Sequence, residues 1–156
     1  MLLCVVFAGC GTTETRSGAE DLVKMQQEAQ AAFESGEHAR AEALYKGLLR
    51  AMPNDAETWF RLGNLYARTD NVEQAVNAYL SALTLNATDA RIWHNLGIMR
   101  LRQSWAAMLR ANSLSAPKDG INERSEETIR TLEKLPYLTD APRPKPAAGG
   151  GAGASK

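Results

Sequence analysis

Few side chains of this 156-residue chain are of types that carry chemistry. Its cysteines are Cys4 and Cys10, both near the start, and its histidines are His38 and His94. This inventory excludes a disulfide framework and a cysteine-based zinc site, and it makes a multi-histidine metal site a poor fit. No Gly-rich phosphate loop, H-E-x-x-H motif or G-x-S-x-G motif occurs. We therefore predict that the chain is not an enzyme and has no cofactor.

The carboxylates and histidines that remain have simpler interpretations. Glu126 and Glu127 are adjacent on a predicted helix, so they do not face each other as an acid–base pair would. We interpret them as solvated charges in a first helical turn. Trp93 is expected on the core face of its helix, and His94 directly follows it, so we expect His94 on the surface. A ligand-contacting or pH-sensing role for His94 is the alternative.

Cys10 has a distinctive context. An unbroken apolar run, residues 2–8, ends in small residues, and the polar stretch 12–15 follows. This order is typical of a secretory signal. The sequence Phe7-Ala8-Gly9-Cys10 resembles the lipobox of bacterial lipoproteins. The resemblance implies a signal peptide at 1–9, a lipid on the Cys10 thiol and a flexible tether at 10–21.

The same resemblance gives an expected location. Gly11, rather than Asp, follows the cysteine, which points to the outer membrane facing the periplasm. No basic residue precedes the apolar run, so we expect the true start codon to lie upstream. The alternative is a buried strand or disordered stub with an incidental cysteine.

Overall composition narrows the class further. Lys and Arg together number 18, as do Asp and Glu, so the net charge is +0 and a strongly basic nucleic-acid binder is not indicated. No apolar run reaches about 18 residues, so we predict no ordinary transmembrane helix.

The middle of the chain is an internal repeat with a period of 34 residues. Met25, Trp59 and Trp93 coincide at this offset. A period in this range is typical of stacked supersecondary units, each too small to bury its apolar face alone. In the second unit, apolar and small residues fall at i, i+3, i+4 and i+7, the spacing of one helical face: Trp59, Leu62, Gly63 and Tyr66.

Each unit is predicted to be a pair of helices. Asp55 is placed to cap the first helix of the second unit. Residues 69–71 are predicted to form the turn before the second helix of that unit, and Ser35-Gly36 the equivalent turn of the first unit. Small residues such as Gly63 and Gly97 are expected to let the paired helices approach closely, with an aromatic side chain beside them.

These features resemble the tetratricopeptide repeat (TPR) family. The second unit carries most of the pattern: Trp59, Leu62, Gly63, Tyr66, Ala75, Tyr79 and Ala82. The resemblance implies an all-α fold, a short solenoid of about three helical hairpins over residues 22–117. Its units are 22–55, 56–89 and 90–117, and the second helix of the third unit is expected to start near Ser104.

The remaining residues are assigned by composition. Residues 118–136 are predicted to contain a helix that caps the end of the stack. From residue 141 to 156, 12 of 16 residues are Ala, Gly or Pro, so we predict a disordered tail at 137–156.

The resemblance also implies a binding site for a protein or peptide on the concave groove lined by the first helix of each pair. Carried over to this chain, the predicted groove residues are Gln26, Gln30, Phe33, Phe60, Asn64, Ala67, Arg68, Arg91, His94, Ile98, Leu101 and Arg102. Phe60, Ile98 and Leu101 are apolar but off the predicted core stripe, which favours recognition. Residues 90–117 contain four Arg and no Asp or Glu, which favours an acidic partner, although a lipid headgroup or no partner at all would also fit.

The leading hypothesis is a lipid-anchored scaffold of the cell envelope that binds periplasmic protein or peptide partners, for example in the assembly of a pilus, secretion or outer-membrane complex. The first alternative is a soluble cytosolic chaperone or adaptor of a secretion system with a mis-assigned start. The second is an accessory subunit of a wall-remodelling enzyme. The residues do not select among these.

Overall fold

The computed structural model describes residues 14–139 of the chain. Within that range the fold is entirely helical, with seven helices: α1 (Glu14–Glu34), α2 (His38–Ala51), α3 (Ala56–Arg68), α4 (Val72–Leu85), α5 (Ala90–Leu114), α6 (Gly120–Leu132) and α7 (Pro136–Thr139). The predicted all-α fold of TPR-type hairpins is confirmed. The predicted signal peptide, Cys10 and residues 140–156 of the predicted tail lie outside the described residues.

The chain divides into two compact units, and the first ends at Pro53. In it α1 and α2 form one hairpin, joined by a turn in which Gly36 takes a φ of 82°. The predicted turn is thus confirmed, and glycine suits it because the left-handed region is costly for other residues. Tyr45 of α2 is buried together with the small residues Ala29 and Ala32 of α1.

Helix α1 begins earlier than the first repeat. It starts at Glu14, so residues 14–21, predicted to be part of a flexible tether, are helical. Once a hairpin has fixed one end of a helix, each added residue contributes a further hydrogen bond without a new nucleation cost. The residues from Ala19 to Lys24 include good helix formers, which favours this extension.

The second compact unit begins with the α3–α4 hairpin, which closely matches the predicted second repeat. The Asp55 carboxylate accepts a hydrogen bond from the Glu57 backbone N–H at 3.1 Å, confirming the predicted N-cap. Asp70, in the turn, takes a φ of 60°. A Cβ added at Gly63 would lie 2.5 Å from the Tyr79 ring, so this glycine is what lets the two helices approach.

The third repeat does not form a hairpin. We predicted a second helix starting near Ser104, but α5 runs without a break from Ala90 to Leu114. Ser104 stands one period after Asp70, and two periods after Gly36, at the place where both hairpins take a positive φ. Serine does not favour that left-handed conformation, so the helix continues through the site of the missing turn.

The continuation of α5 changes what covers its two halves. Its first half packs against α4, with Ile92, Leu96 and Met99 in the same buried cluster as Tyr79. Its second half packs against α6, the predicted capping helix, around the buried side chain of Trp105. No helix in residues 14–139 is both long enough and apolar enough to cross a membrane.

Two predictions about the first half of α5 are wrong. Gly97 was expected to permit close helix approach, but no heavy atom lies within 4 Å of a Cβ built there. Trp93 was expected in the core, but its side chain is 55% exposed. Both follow from the missing hairpin, since the helix that would cover this face is absent from its expected place.

Candidate functional site

The second compact unit, which begins at Asn54, contains the predicted groove residues of the second and third repeats. They lie on α3 and α5. α3 and α5 are the first helices of successive repeats, and α4 packs against both of them in one buried cluster. Side chains at three levels connect the α3 side to α5, and each contact joins residues roughly one period apart.

At the first level, Arg91 of α5 reaches α3. Its guanidinium lies 3.0 Å from the Glu57 carboxylate and 4.9 Å above the centre of the Phe60 ring. It also pairs with Asp89, the N-cap of its own helix, at 2.7 Å. Hydrogen bonds from the Arg91 side chain lower the pKa of Asp89, so both groups stay charged near neutral pH. Arg91 is therefore engaged within the fold as well as exposed at its edge.

At the second level, the Asn64 side-chain oxygen is shared. It accepts a hydrogen bond from the Tyr79 hydroxyl at 2.8 Å and another from the Asn95 amide at 2.8 Å. Asn64 is thereby fixed between α4 and α5. Burial raises the pKa of the Tyr79 phenol to about 12, so the hydroxyl remains a donor over the whole neutral range.

At the third level, Arg102 of α5 reaches the α3–α4 turn. Its guanidinium lies 2.6 Å from the carboxylate of Asp70, the residue with positive φ. Arg102 is buried, at 3% exposure, while the Asp70 side chain is 46% exposed. A buried guanidinium needs such partners because its desolvation is otherwise costly.

These contacts correct the sequence interpretation of two residues. Phe60 was predicted to be a surface contact off the core stripe, but it is only 8% exposed and packs with Tyr79, their ring centres 6.0 Å apart. Arg102 was predicted to line the groove, but it is buried. Both side chains hold α5 against the hairpin, so replacing either one would disturb the fold before it disturbed binding.

The other predicted residues of this unit remain at the surface to different degrees. Arg68 and His94 are exposed, Ala67 and Ile98 are half-buried against the core, and Leu101 is 38% exposed. Together with the two asparagines they form what we call the α3–α5 surface: Asn64, Ala67, Arg68, His94, Asn95, Ile98 and Leu101. It combines a small apolar area with amide groups and a cationic edge.

Asn95 was missed by the sequence analysis. The signal was available, since it is an amide residue on a first helix, one turn from the predicted residue Arg91. The groove positions implied by the family do not include position 61 of the second repeat, where Arg61 stands. No groove residue was therefore predicted at position 95, one period later. The structure shows that Asn95, through Asn64, is the central link between α3 and α5.

The three groove residues predicted in the first unit are described by themselves. Gln26, Gln30 and Phe33 are all half-buried on α1. Gln30 donates a hydrogen bond to Glu34 at 2.6 Å and accepts one from the Tyr45 hydroxyl at 3.3 Å. That tyrosine contact is the equivalent, one period earlier, of the Tyr79–Asn64 contact.

Within residues 14–139 no three His, Cys, Asp or Glu side chains come together in a way that could hold a metal ion. Glu126 pairs with Arg130 at 3.2 Å, and both side chains are exposed, which agrees with the interpretation of a solvated charge. It lies in the second turn of α6 rather than in the predicted first turn, because the helix begins earlier, at Gly120.

Comparison with known proteins agrees with the repeat. Residues 32–96 match the family model described as Tetratricopeptide repeat. A stretch of 54 residues, 35% of the chain, is 43% identical to a protein of Candida albicans (strain SC5314 / ATCC MYA-2876) named Peroxisomal targeting signal receptor. The chain spans only 9% of the length of that receptor. The repeats that these matches cover are typically protein-interaction modules rather than catalytic ones.

Proposed function

We propose that this chain is an adaptor whose α3–α5 surface binds a protein or peptide partner. The observation that carries the proposal is the pair of half-buried asparagines. The Asn64 side-chain oxygen accepts two hydrogen bonds, whereas its amide nitrogen donates none to the residues that the structure describes, and the Asn95 amide nitrogen donates to Asn64. One N–H₂ donor and one carbonyl acceptor are thus left side by side, fixed in position.

Such a pair suits the backbone of an incoming peptide, which offers a carbonyl and an N–H at each residue. Ile98 and Leu101 beside it can accept an apolar side chain, and Arg68 and His94 can face a negative charge. The similarity to part of a protein named as a receptor for a targeting signal supports a peptide segment as the partner.

A charge-reversal pair tests this surface. We expect Arg68→Glu to reduce capture of partners from a detergent extract of the source cells at least ten-fold, because the cationic edge becomes acidic. Arg124→Glu is the matched control, since Arg124 is exposed on α6, away from the surface. Both variants should melt within about 2 °C of the parent, as surface changes usually alter stability by less than about 0.5 kcal/mol. Equal capture by all three proteins would place the partner site elsewhere.

We further propose that the adaptor is anchored in the cell envelope through lipid on Cys10, with the surface presented to periplasmic partners. The support is the lipobox-like sequence 7–10. Several acyl chains on one cysteine would exceed the two-signal threshold for stable attachment.

The anchor has its own matched control in the neighbouring cysteine. Cys10→Ser should move the protein from the membrane to the soluble fraction and abolish the mass added to the N-terminal peptide, whereas Cys4→Ser should change neither, because the signal is removed. A native protein that retains Met1 and stays in the soluble fraction would instead support the cytosolic adaptor.

A further inference from the structure

One face of the first half of α5 is exposed, whereas the equivalent face of α3 is covered by α4. Gly63 of α3 lies so close to Tyr79 of α4 that a Cβ added at Gly63 would be 2.5 Å from the Tyr79 ring. At Gly97, one period later on α5, a Cβ would meet nothing within 4 Å. The same position in the repeat is thus filled in one hairpin and open in the next.

The residues around Gly97 have the composition of a packing face. Trp93, Gly97 and Leu101 follow one another at intervals of four, which places them on one side of the helix. The Trp93 side chain is 55% exposed and that of Leu101 is 38% exposed. We call this the open face of α5: Trp93, Gly97, Arg100 and Leu101.

The opposite side of the same helical segment is already packed. Ile92, Leu96 and Met99 are buried against α4. A helix that is apolar on both sides is typical of a position between two neighbours. Here α6 packs farther along α5, around Trp105, and leaves the open face uncovered among the described residues.

The established α3–α4 contact shows what fits such a face. There, Tyr79 lies between two small residues of α4, Ala75 and Ala82, all at most 1% exposed. The α1–α2 hairpin uses Ala41 and Tyr45 in the same way. An amphipathic helix with an aromatic residue between small ones would continue this packing by one more helix.

The charge of the open face indicates which molecule supplies the docked helix. The Arg100 guanidinium, on the open face, bonds to the neutral side chain of Gln103 at 3.1 Å and has no acidic partner within residues 14–139. Arg91 and Arg102 are already paired with carboxylates, and residues 90–117 contain no Asp or Glu. Two open faces meeting each other would therefore bring Arg100 against Arg100 with no opposite charge from the segment, which disfavours a second copy as the occupant. The tail 141–156 is also basic and contains no aromatic residue.

We infer that the open face of α5 is a second docking site, which takes an acidic amphipathic helix of a partner protein bearing an aromatic residue between two small ones. The occupant takes the place of the helix that the third repeat does not form. This site does not include the asparagine pair, although it shares Leu101 with the α3–α5 surface, and the inference does not depend on the proposed function.

A helical peptide serves as the probe. The sequence of residues 71–85, with Asn77→Glu and Ser81→Glu, gives an acidic helix that retains the packing residues of α4, and the same peptide with Asn77→Lys and Ser81→Lys gives its basic counterpart. Fluorescence anisotropy of each labelled peptide with the full chain measures affinity. We expect the acidic peptide to bind at least ten-fold more tightly than the basic one, and Arg100→Glu to reverse that order.

Two variants locate the bound peptide. Gly97→Lys should weaken binding of the acidic peptide at least ten-fold by filling the open face, whereas Leu114→Lys, farther along the same helix where Leu114 is 70% exposed, should leave it unchanged. Arg68→Glu should also leave it unchanged, which separates this site from the proposed function.

Three results would overturn the inference. One is the absence of binding at millimolar peptide, and another is binding that survives Gly97→Lys, which would mean that the peptide exchanges with α4 itself. The third is a dimer in sedimentation that Gly97→Lys dissociates, since a second copy would then be the occupant.

Discussion

The α3–α4 hairpin and the first half of α5 begin from almost the same sequence and reach different structures. Both helices carry Trp, Leu and Gly at the same spacing, as Trp59, Leu62 and Gly63 or one period later. In α3 the glycine is covered by Tyr79 and the tryptophan packs partly against the core. In α5 the glycine faces open space and Trp93 is 55% exposed.

The difference teaches that the motif on the first helix does not by itself form a hairpin. What forms the hairpin is a residue that tolerates positive φ at the turn and an aromatic residue on the helix that follows. Asp70 and Tyr79 supply them in the second repeat, whereas Ser104 and Ser113 stand at those positions in the third. The chain then extends α5 and packs α6 on it instead.

The largest expected effect comes from adding one methyl group at the covered glycine. Gly63→Ala should lower the free energy of unfolding by about 3 kcal/mol, because the Tyr79 ring is buried and cannot move away from the new Cβ. Chemical denaturation monitored by circular dichroism measures the change. A variant as stable as the parent would show that the hairpin is not closely packed at this position.

The next effect tests the turn. Asp70→Ala should cost about 2 kcal/mol, since alanine disfavours the left-handed conformation and the buried Arg102 loses a carboxylate. Asp70→Gly, which copies Gly36 of the first hairpin, keeps the conformation and removes only the carboxylate, so it should cost less. Equal losses in the two variants, measured by denaturation, would assign the whole effect to the ion pair.

A pH effect follows from the aromatic residue of the hairpin. The folded-state pKa of Tyr79 is raised from 10.0 to about 12, so its contribution to stability is complete below pH 10 and is lost as the pH rises through about 12. A shift of about two pKa units corresponds to a loss of roughly 3 kcal/mol once the pH is well above 12. Thermal melting between pH 9 and pH 12 should fall more steeply for the parent than for Tyr79→Phe, and parallel curves would contradict the assignment.

The smallest effect has the opposite sign and completes the comparison. Gly97→Ala should raise the free energy of unfolding by about 0.5–1 kcal/mol, because alanine is the better helix former and nothing obstructs its Cβ. The same denaturation measurement serves as the counterpart to Gly63→Ala. Destabilisation here would mean that another element covers the open face in solution.

Much of the candidate site could be read from the sequence, because helical spacing fixes which residues share a face. Arg68, His94, Ile98 and Leu101 lie at the surface or its margin, as the repeat spacing implies. The burial of Phe60 and Arg102 could not be read, since it depends on how closely α5 approaches α3 and on the partners each side chain finds there.

The sequence by itself determined the helical class, the 34-residue period, the Asp55 cap of α3 and the turns of the first two hairpins. These features depend on local preferences, namely backbone conformation, capping and the spacing of apolar residues. Local preferences can be recognised in the sequence because they involve residues close together along the chain. The tertiary structure alone decided that α5 continues past its expected end and which of its faces is covered. That choice is a competition between two packings of the same residues, and its outcome depends on contacts between segments that are distant in sequence.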